Sequence, residues 1–251
     1  DEGRRGAERH GSRPETILAS ARVASAPGTA AERVERGDRG EDVASGSGDR
    51  VRPTVPVPYR LSFVVGGLLS AEAAIAAPLY LSMRDWPAVR AALTEDNLLH
   101  ARTRATAVRM ARELVQRLST LSGAELAYLA TALSPERGHL MWAAACRHYA
   151  IVADFAQEVL RDHYLRGITD VSAADFERFW EAKELWHGEL ESAKPSTRAK
   201  IRTNLFLAMR QADLITSDGG IPAPLLTREV RDLLGGHCPS DLRFFPGRSD
   251  L

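Results

Sequence analysis

The sequence predicts a mainly α fold: a helical bundle, then a small winged-helix-like domain, behind a disordered N-terminal extension. Three observations predict it. From Val57 onward, apolar residues recur at spacings of three and four, the helical period. Helix starts are marked by capping residues such as Asp85, Ser122 and Ser172. Residues 169–237 read as helix, turn, helix and hairpin, the order a winged helix-turn-helix needs. The expected boundaries are 1–56 for the extension, 57–168 for the bundle, 169–237 for the winged-helix-like domain and 238–251 for a tail.

The extension is dense in Gly, Ser, Pro, Arg, Glu and Asp and poor in large apolar residues. Such a segment buries too little surface to offset its chain entropy, so disorder is expected. Tyr59–Val65 reads as a short strand or an extended lead-in. Leu68–Leu81 reads as a helix that Pro78 kinks or ends early. Asp85 caps the next helix, with Pro87 in its first turn and Trp86, Val89 and Leu93 inward. Thr103–Leu118 is a third helix. Ser122 and Glu125 form a capping box opening a fourth. Ser134-Pro135-Glu136 opens a fifth, running through Trp142 to Tyr149. A sixth covers 151–165 and ends at Gly167.

In the second half, Ser172 caps a helix carrying Phe176, Phe179, Trp180, Leu185 and Trp186. After a break at 188–193, Pro195 begins a helix that reaches Ala212. Leu214-Ile215, the turn Ser217-Asp218-Gly219-Gly220 and Ile221 read as a small hairpin. Leu225–Leu234 is a last short helix. Trp142, Trp180 and Trp186 are expected to pack inside rather than to stack on bases.

Formal net charge is zero, which excludes a global basic field for nucleic acid; any attraction has to come from local clustering. Clustering is present. Lys194 to Arg210 contains no acid, whereas the preceding helix and loop carry Asp175, Glu177, Glu181, Glu184, Glu189 and Glu191. Ser196, Thr197, Arg198, Lys200 and Arg202 sit at a helix N-terminus, where free N–H groups and the dipole favour a phosphate, and Arg210 extends the charge. One reading is a recognition helix on DNA. The other is a basic face paired with the acidic helix beside it. The residues alone leave both open.

A second basic set is Arg102, Arg104, Arg109, Arg112 and Arg117. Spacings of seven and three place several of these on one stripe, a second phosphate-contacting face if it is not simply a solvated one. Its ordinary reading is a solvated helix face, which is preferred.

Other chemistries find little support. Cys146 and Cys238 are far apart and read as buried thiols of a reducing compartment, so a cytoplasmic location is expected. No signal peptide is visible. Leu61–Met83 has roughly the length of a membrane span, about 20 residues. Glu72 at its centre would cost roughly 2.5 kcal/mol or more in a bilayer, so a buried core helix is expected. His100, His139, His163 and His187 show no metal-ligand spacing, and no metal or cofactor is expected. There is no Walker loop, G-x-G-x-x-G or G-x-S-x-G, so no catalytic site is expected. Glu181-Ala182-Lys183 echoes a nuclease E-x-K but falls on a helix.

Several stretches taken together resemble the BrxA family of BREX phage-resistance systems. They are Tyr59-Arg60-Leu61-Ser62-Phe63 with Gly66-Gly67-Leu68-Leu69 and Glu72, then Glu95-Asp96-Asn97-Leu98-Leu99 and Arg102-Thr103. Ala143-Ala144-Ala145-Cys146-Arg147, Asp175-Phe176, Glu181-Ala182-Lys183 and Pro195-Ser196-Thr197-Arg198 follow in order. The resemblance covers about 57–234. It implies a mainly helical, non-enzymatic protein likened to the antitermination factor NusB and associated with double-stranded DNA. It also implies partners encoded beside it, a methyltransferase, an ATPase and a phosphatase-like protein. The family's former label, an inner-membrane protein, is disfavoured by Glu72. The alternatives are a protein-interaction scaffold of the same system, or NusB-like RNA binding through the bundle.

Overall fold

The structure, a computed structural model, describes residues 57–64 and 66–248; the expected N-terminal extension lies outside the described residues. The lead-in, residues 57–64 and 66–69, is extended and turned rather than a strand. Helix α1 (Ser70–Met83) follows. It runs through Pro78 instead of stopping there. Pro78 is exposed, so the carbonyl its missing N–H leaves unpaired lies on the outer side of the helix.

Local signals fix most of the bundle. Asp85 caps α2 (Trp86–Glu95) by accepting from the Ala88 N–H at 3.3 Å. Thr103 caps α3 (Arg104–Leu118) by accepting from the Thr106 N–H at 3.2 Å. Ser122 and Glu125 form the expected box at the start of α4 (Gly123–Thr131). At α5 (Ser134–His148), Glu136 reaches back to the Leu133 N–H at 2.9 Å. Tyr149 is extended and separates α5 from α6 (Ala150–Phe155). A π-helical stretch, Ala156–Arg161, links α6 to α7 (Asp162–Leu165).

Helix α5 is the centre of the core. Every residue from Gly138 to Cys146 is buried. A helix that is apolar all round belongs inside, and α1, α3, α4 and α6 all pack against this one. Its glycine is needed for close approach: a Cβ on Gly138 would stand 2.8 Å from the Gln211 carbonyl oxygen.

The second half begins with α8 (Ala173–Glu184), capped by Ser172 and Asp175. The expected break contains a single turn, α9 (Gly188–Glu191). Pro195 opens α10 (Pro195–Gln211) as expected. The hairpin is not built as two strands. Gly220 instead makes one antiparallel bridge to Asp170, flanked by Val171 N–H to Gly219 O at 2.9 Å and Ile221 N–H to Thr169 O at 2.7 Å. The turn at 216–220 closes on itself, from Thr216 N–H to Gly220 O, too tightly to leave two arms of strand length. Helix α11 (Arg228–Gly235) is capped by Thr227 and begins at Arg228, three residues later than expected.

One continuous buried cluster joins the two halves across residue 168. It includes Trp142, Phe155, Phe176, Trp180, Leu205, Phe244 and Phe245. The C-terminal segment is part of it. A 3₁₀ turn, Asp241–Phe244, docks so that the Trp142 indole donates to the Phe244 carbonyl at 2.9 Å.

Three expectations need correction. Trp186 is 74% exposed, as is Leu185 at 78%, because α8 ends at Glu184 and the chain turns outward there. Cys238 is exposed beside Pro239, while Cys146 is buried in α5. Arg117 does not belong to an exposed stripe: its side chain is fully buried and pairs with Glu113 at 2.8 Å. Among the described residues, no helix is long and apolar enough to cross a membrane.

Candidate nucleic-acid interface

The first candidate, the start of α10, is built on a helix N-terminus without an acid in its first turn. Lys194 occupies the cap without a side-chain bond, Pro195 supplies the first helical position, and Ser196 and Lys200 are exposed. Thr197 is half-buried. The arginines of this helix behave differently. Arg198 reaches across to α8, where it pairs with Glu177, with Glu181 at 3.3 Å and with Glu184 at 3.7 Å. Its guanidinium also lies 5.5 Å from the centre of the Trp180 ring. Arg202 joins Glu177 at 2.6 Å. Arg210, half-buried, lines a shallow recess with Arg202, Thr203, Phe206 and Ala173. The acidic helix therefore takes up Arg198 and Arg202, the second of the two arrangements the sequence left open. Lys194, Ser196 and Lys200 stay outside this network.

The second candidate lies on α2 and α3. Arg104, Val108 and Arg112 are four apart along α3 and share one face. That face and Pro87, Arg90, Ala91, Thr94 and Glu95 of α2 line a groove between the helices. Arg102 precedes the Thr103 cap and Arg109 lies beside Arg112; both are exposed. Among the described residues no carboxylate forms an ion pair with Arg90, Arg102, Arg104, Arg109 or Arg112. Glu95 is the one acid lining the groove. The helix also has no acid in its first turn, so its dipole adds to the positive field.

Neutralisation separates the two faces. Glu113, the acid that would have offset the α3 stripe, is turned inward: it is buried, pairs with Arg117 and accepts from the Tyr149 hydroxyl. Burial and the hydrogen bond to Glu113 push the Tyr149 hydroxyl well above its ordinary value, which keeps it a donor. Arg90 was not foreseen from the sequence. It sits alone on α2 in an otherwise ordinary helix, and only the packing of α2 on α3 brings it to Arg104 and Arg112.

The arrangement suits ionic contact with a polyanion. Among the described residues, no group of three or more His, Cys, Asp and Glu side chains is placed to hold a metal. Lys183 of the E-x-K echo is bound to Asp154 at 3.0 Å and Glu158 at 2.6 Å.

Comparison with known proteins agrees with the resemblance read from the residues. The BrxA family model matches residues 57–237. The BREX protein BrxA of Escherichia coli O9:H4 (strain HS) is 28% identical over 150 residues, covering 60% of this chain and 70% of that protein. The fold is shared with an uncharacterized protein from Magnetospirillum magneticum. Its crystal structure matches with a TM-score of 0.66 at 19% identity, covering 76% of this chain and all of that one. With most of its folded length matched, this chain belongs to the BrxA family and is a component of a BREX system.

Proposed function

We propose that the chain is a non-enzymatic, double-stranded-DNA-binding component of its BREX system, and that the α2–α3 face supplies the main phosphate contacts. The observation that carries this reading is the set of five exposed arginines, Arg90, Arg102, Arg104, Arg109 and Arg112, without an acidic partner among the described residues. Unpaired guanidiniums gain most from a phosphate, because no existing ion pair has to break first. Lys194, Ser196 and Lys200 at the start of α10 extend the contact. Helices α8 and α10 with the Asp170–Gly220 bridge support a winged-helix-like unit with a minimal wing. Family membership supports a place beside a methyltransferase, an ATPase and a phosphatase-like protein.

The test is duplex binding across a salt series. Each phosphate contact contributes a slope of roughly −0.9 in log K against log salt. Replacing Arg104 and Arg112 together with Ala should reduce the slope by about 1.8, two such contacts. Replacing Arg198 and Arg202 should change it far less. An unchanged slope in the Arg104/Arg112 variant rejects this face. Competition with structured RNA separates the NusB-like alternative, since the same bundle face would serve it. A scaffold reading is favoured by one specific observation, the exposed pair Leu185 and Trp186. Recovery of a system partner after nuclease treatment, without any duplex binding, would support that instead.

A further inference from the structure

On the side of the molecule where α5 meets the end of α10 lies an open slot of about 410 Å³, which shares no lining residue with the arginine recesses. Its walls are Pro135 at the start of α5, His139 one turn later, Asp213 just beyond α10, and Pro222, Ala223 and Leu225 of the loop before α11. The prolines, alanine and leucine make it largely apolar. Two polar residues belong to this lining, one buried and one exposed.

His139 is only 3% exposed, yet its Nδ1 has no hydrogen-bond partner among the described residues. Such an orphan is rare in a folded interior and calls for an explanation. Burial holds the imidazole below its ordinary value, against the opposing charges of Asp213 and Glu136, so it is neutral near pH 7. A neutral imidazole keeps one nitrogen as an acceptor. The second group is the Asp213 carboxylate, which is exposed and pairs with no cation among the described residues. Asp213 also has a left-handed backbone, φ 53°, held there by its N–H bond to Arg210 O and by the Leu214 N–H bond to Met209 O. Gly138 fixes the place where the two meet, because only a glycine lets α5 come this near to Gln211.

An anion and an acceptor on an apolar floor select a donor cation on an aliphatic stem. We propose that this slot receives an arginine or lysine side chain from a partner protein. The stem lies over Pro135, Pro222 and Leu225 and the charged head reaches Asp213 and His139. Long cationic side chains bind this way elsewhere, stem on apolar surface and head on a polar group. The surroundings favour a polypeptide over a small cation. Leu225 is 88% exposed and Leu133, two residues before Pro135, is 71% exposed. They carry apolar surface outward from the slot, where residues flanking the cation would rest. Loss of the carboxylate removes the charge complementarity and leaves the apolar contact.

The test uses the full chain with two probe peptides, acetyl-Leu-Arg-Leu-amide and its citrulline counterpart, which is neutral but nearly the same shape. Binding is followed by the ring-proton NMR signals of His139. The arginine peptide should shift them saturably, with the citrulline peptide at least about tenfold weaker, a difference of about 1.4 kcal/mol. Asp213→Asn tolerates the same backbone conformation and should abolish that preference. Leu225→Ser, on an exposed loop, should weaken both peptides alike. No saturable shift, equal binding of the two peptides, or a preference that survives in a folded Asp213→Asn chain would overturn the assignment. Duplex binding should be unaltered in all these variants.

Discussion

Several charged side chains lie inside the fold. Arg117 is wholly buried, held by Glu113 and lying 5.0 Å from the centre of the Phe63 ring. Removing Glu113 takes away the buried carboxylate that Arg117 pairs with. Glu113→Ala should therefore cost about 3–5 kcal/mol in urea unfolding. Glu125 gives the pH counterpart. Burial alone would raise its pKa, but hydrogen bonds from Arg147 and the Ser122 N–H prevail and hold it below the ordinary 4.5. A carboxylate with a depressed folded pKa stabilises above the unfolded value and loses that contribution as pH falls through the folded one. Stability should thus decline as the medium is acidified below about pH 4.5, and Glu125→Gln should flatten that part of the profile relative to the parent chain. Urea unfolding across pH 3–7 reads both.

Elements were legible in the sequence where their signals are local. Asp85, Thr103, Ser122 and Ser172 each mark a helix start that the structure keeps, because a cap needs only residues within a turn of one another. The fate of the expected hairpin was not legible: Gly219 and Gly220 do turn the chain, but the partner of the turn is the segment before α8, fifty residues earlier. Nor was the fate of Arg198. The contrast between an acidic α8 and a basic α10 was plain; that Arg198 and Arg202 reach the acids of α8 depends on how the two helices are placed in the fold, which the charge pattern alone does not report. The consequence is testable. Neutralising Glu177, Glu181 and Glu184 together to Gln should free Arg198 and Arg202, strengthen duplex binding and steepen its salt dependence. Glu177 and Glu184 are half-buried, and glutamine removes the charge while keeping a hydrogen-bond acceptor of the same size, so the chain should remain folded. No change in duplex affinity would place these arginines away from DNA altogether.

At the scale of the molecule, a zero net charge conceals segregation. Acids are spent on structure: Glu113 and Glu125 inside, and Glu177 on the α8–α10 seam, which leaves Arg90, Arg104, Arg109 and Arg112 without an ion-pair partner among the described residues. The same logic governs the C-terminal segment, which sequence composition marks as a tail and packing turns into a core element. Asp241 is buried and pairs with Arg147 at 2.6 Å, which in turn holds Glu125. Phe244 and Phe245 are both buried beside it. Burial of a phenylalanine is worth about 3–5 kcal/mol on replacement by alanine. Two such losses together are comparable with the whole stability of an ordinary domain, about 5–15 kcal/mol. Removing residues 238–251 should therefore unfold the chain, seen as loss of its helical circular dichroism, whereas Phe244→Ala alone should leave a folded protein with a lowered Tm. A truncated chain that melted like the parent would mean that the bundle closes without this segment, and that the Arg147 network serves the tail and not the core.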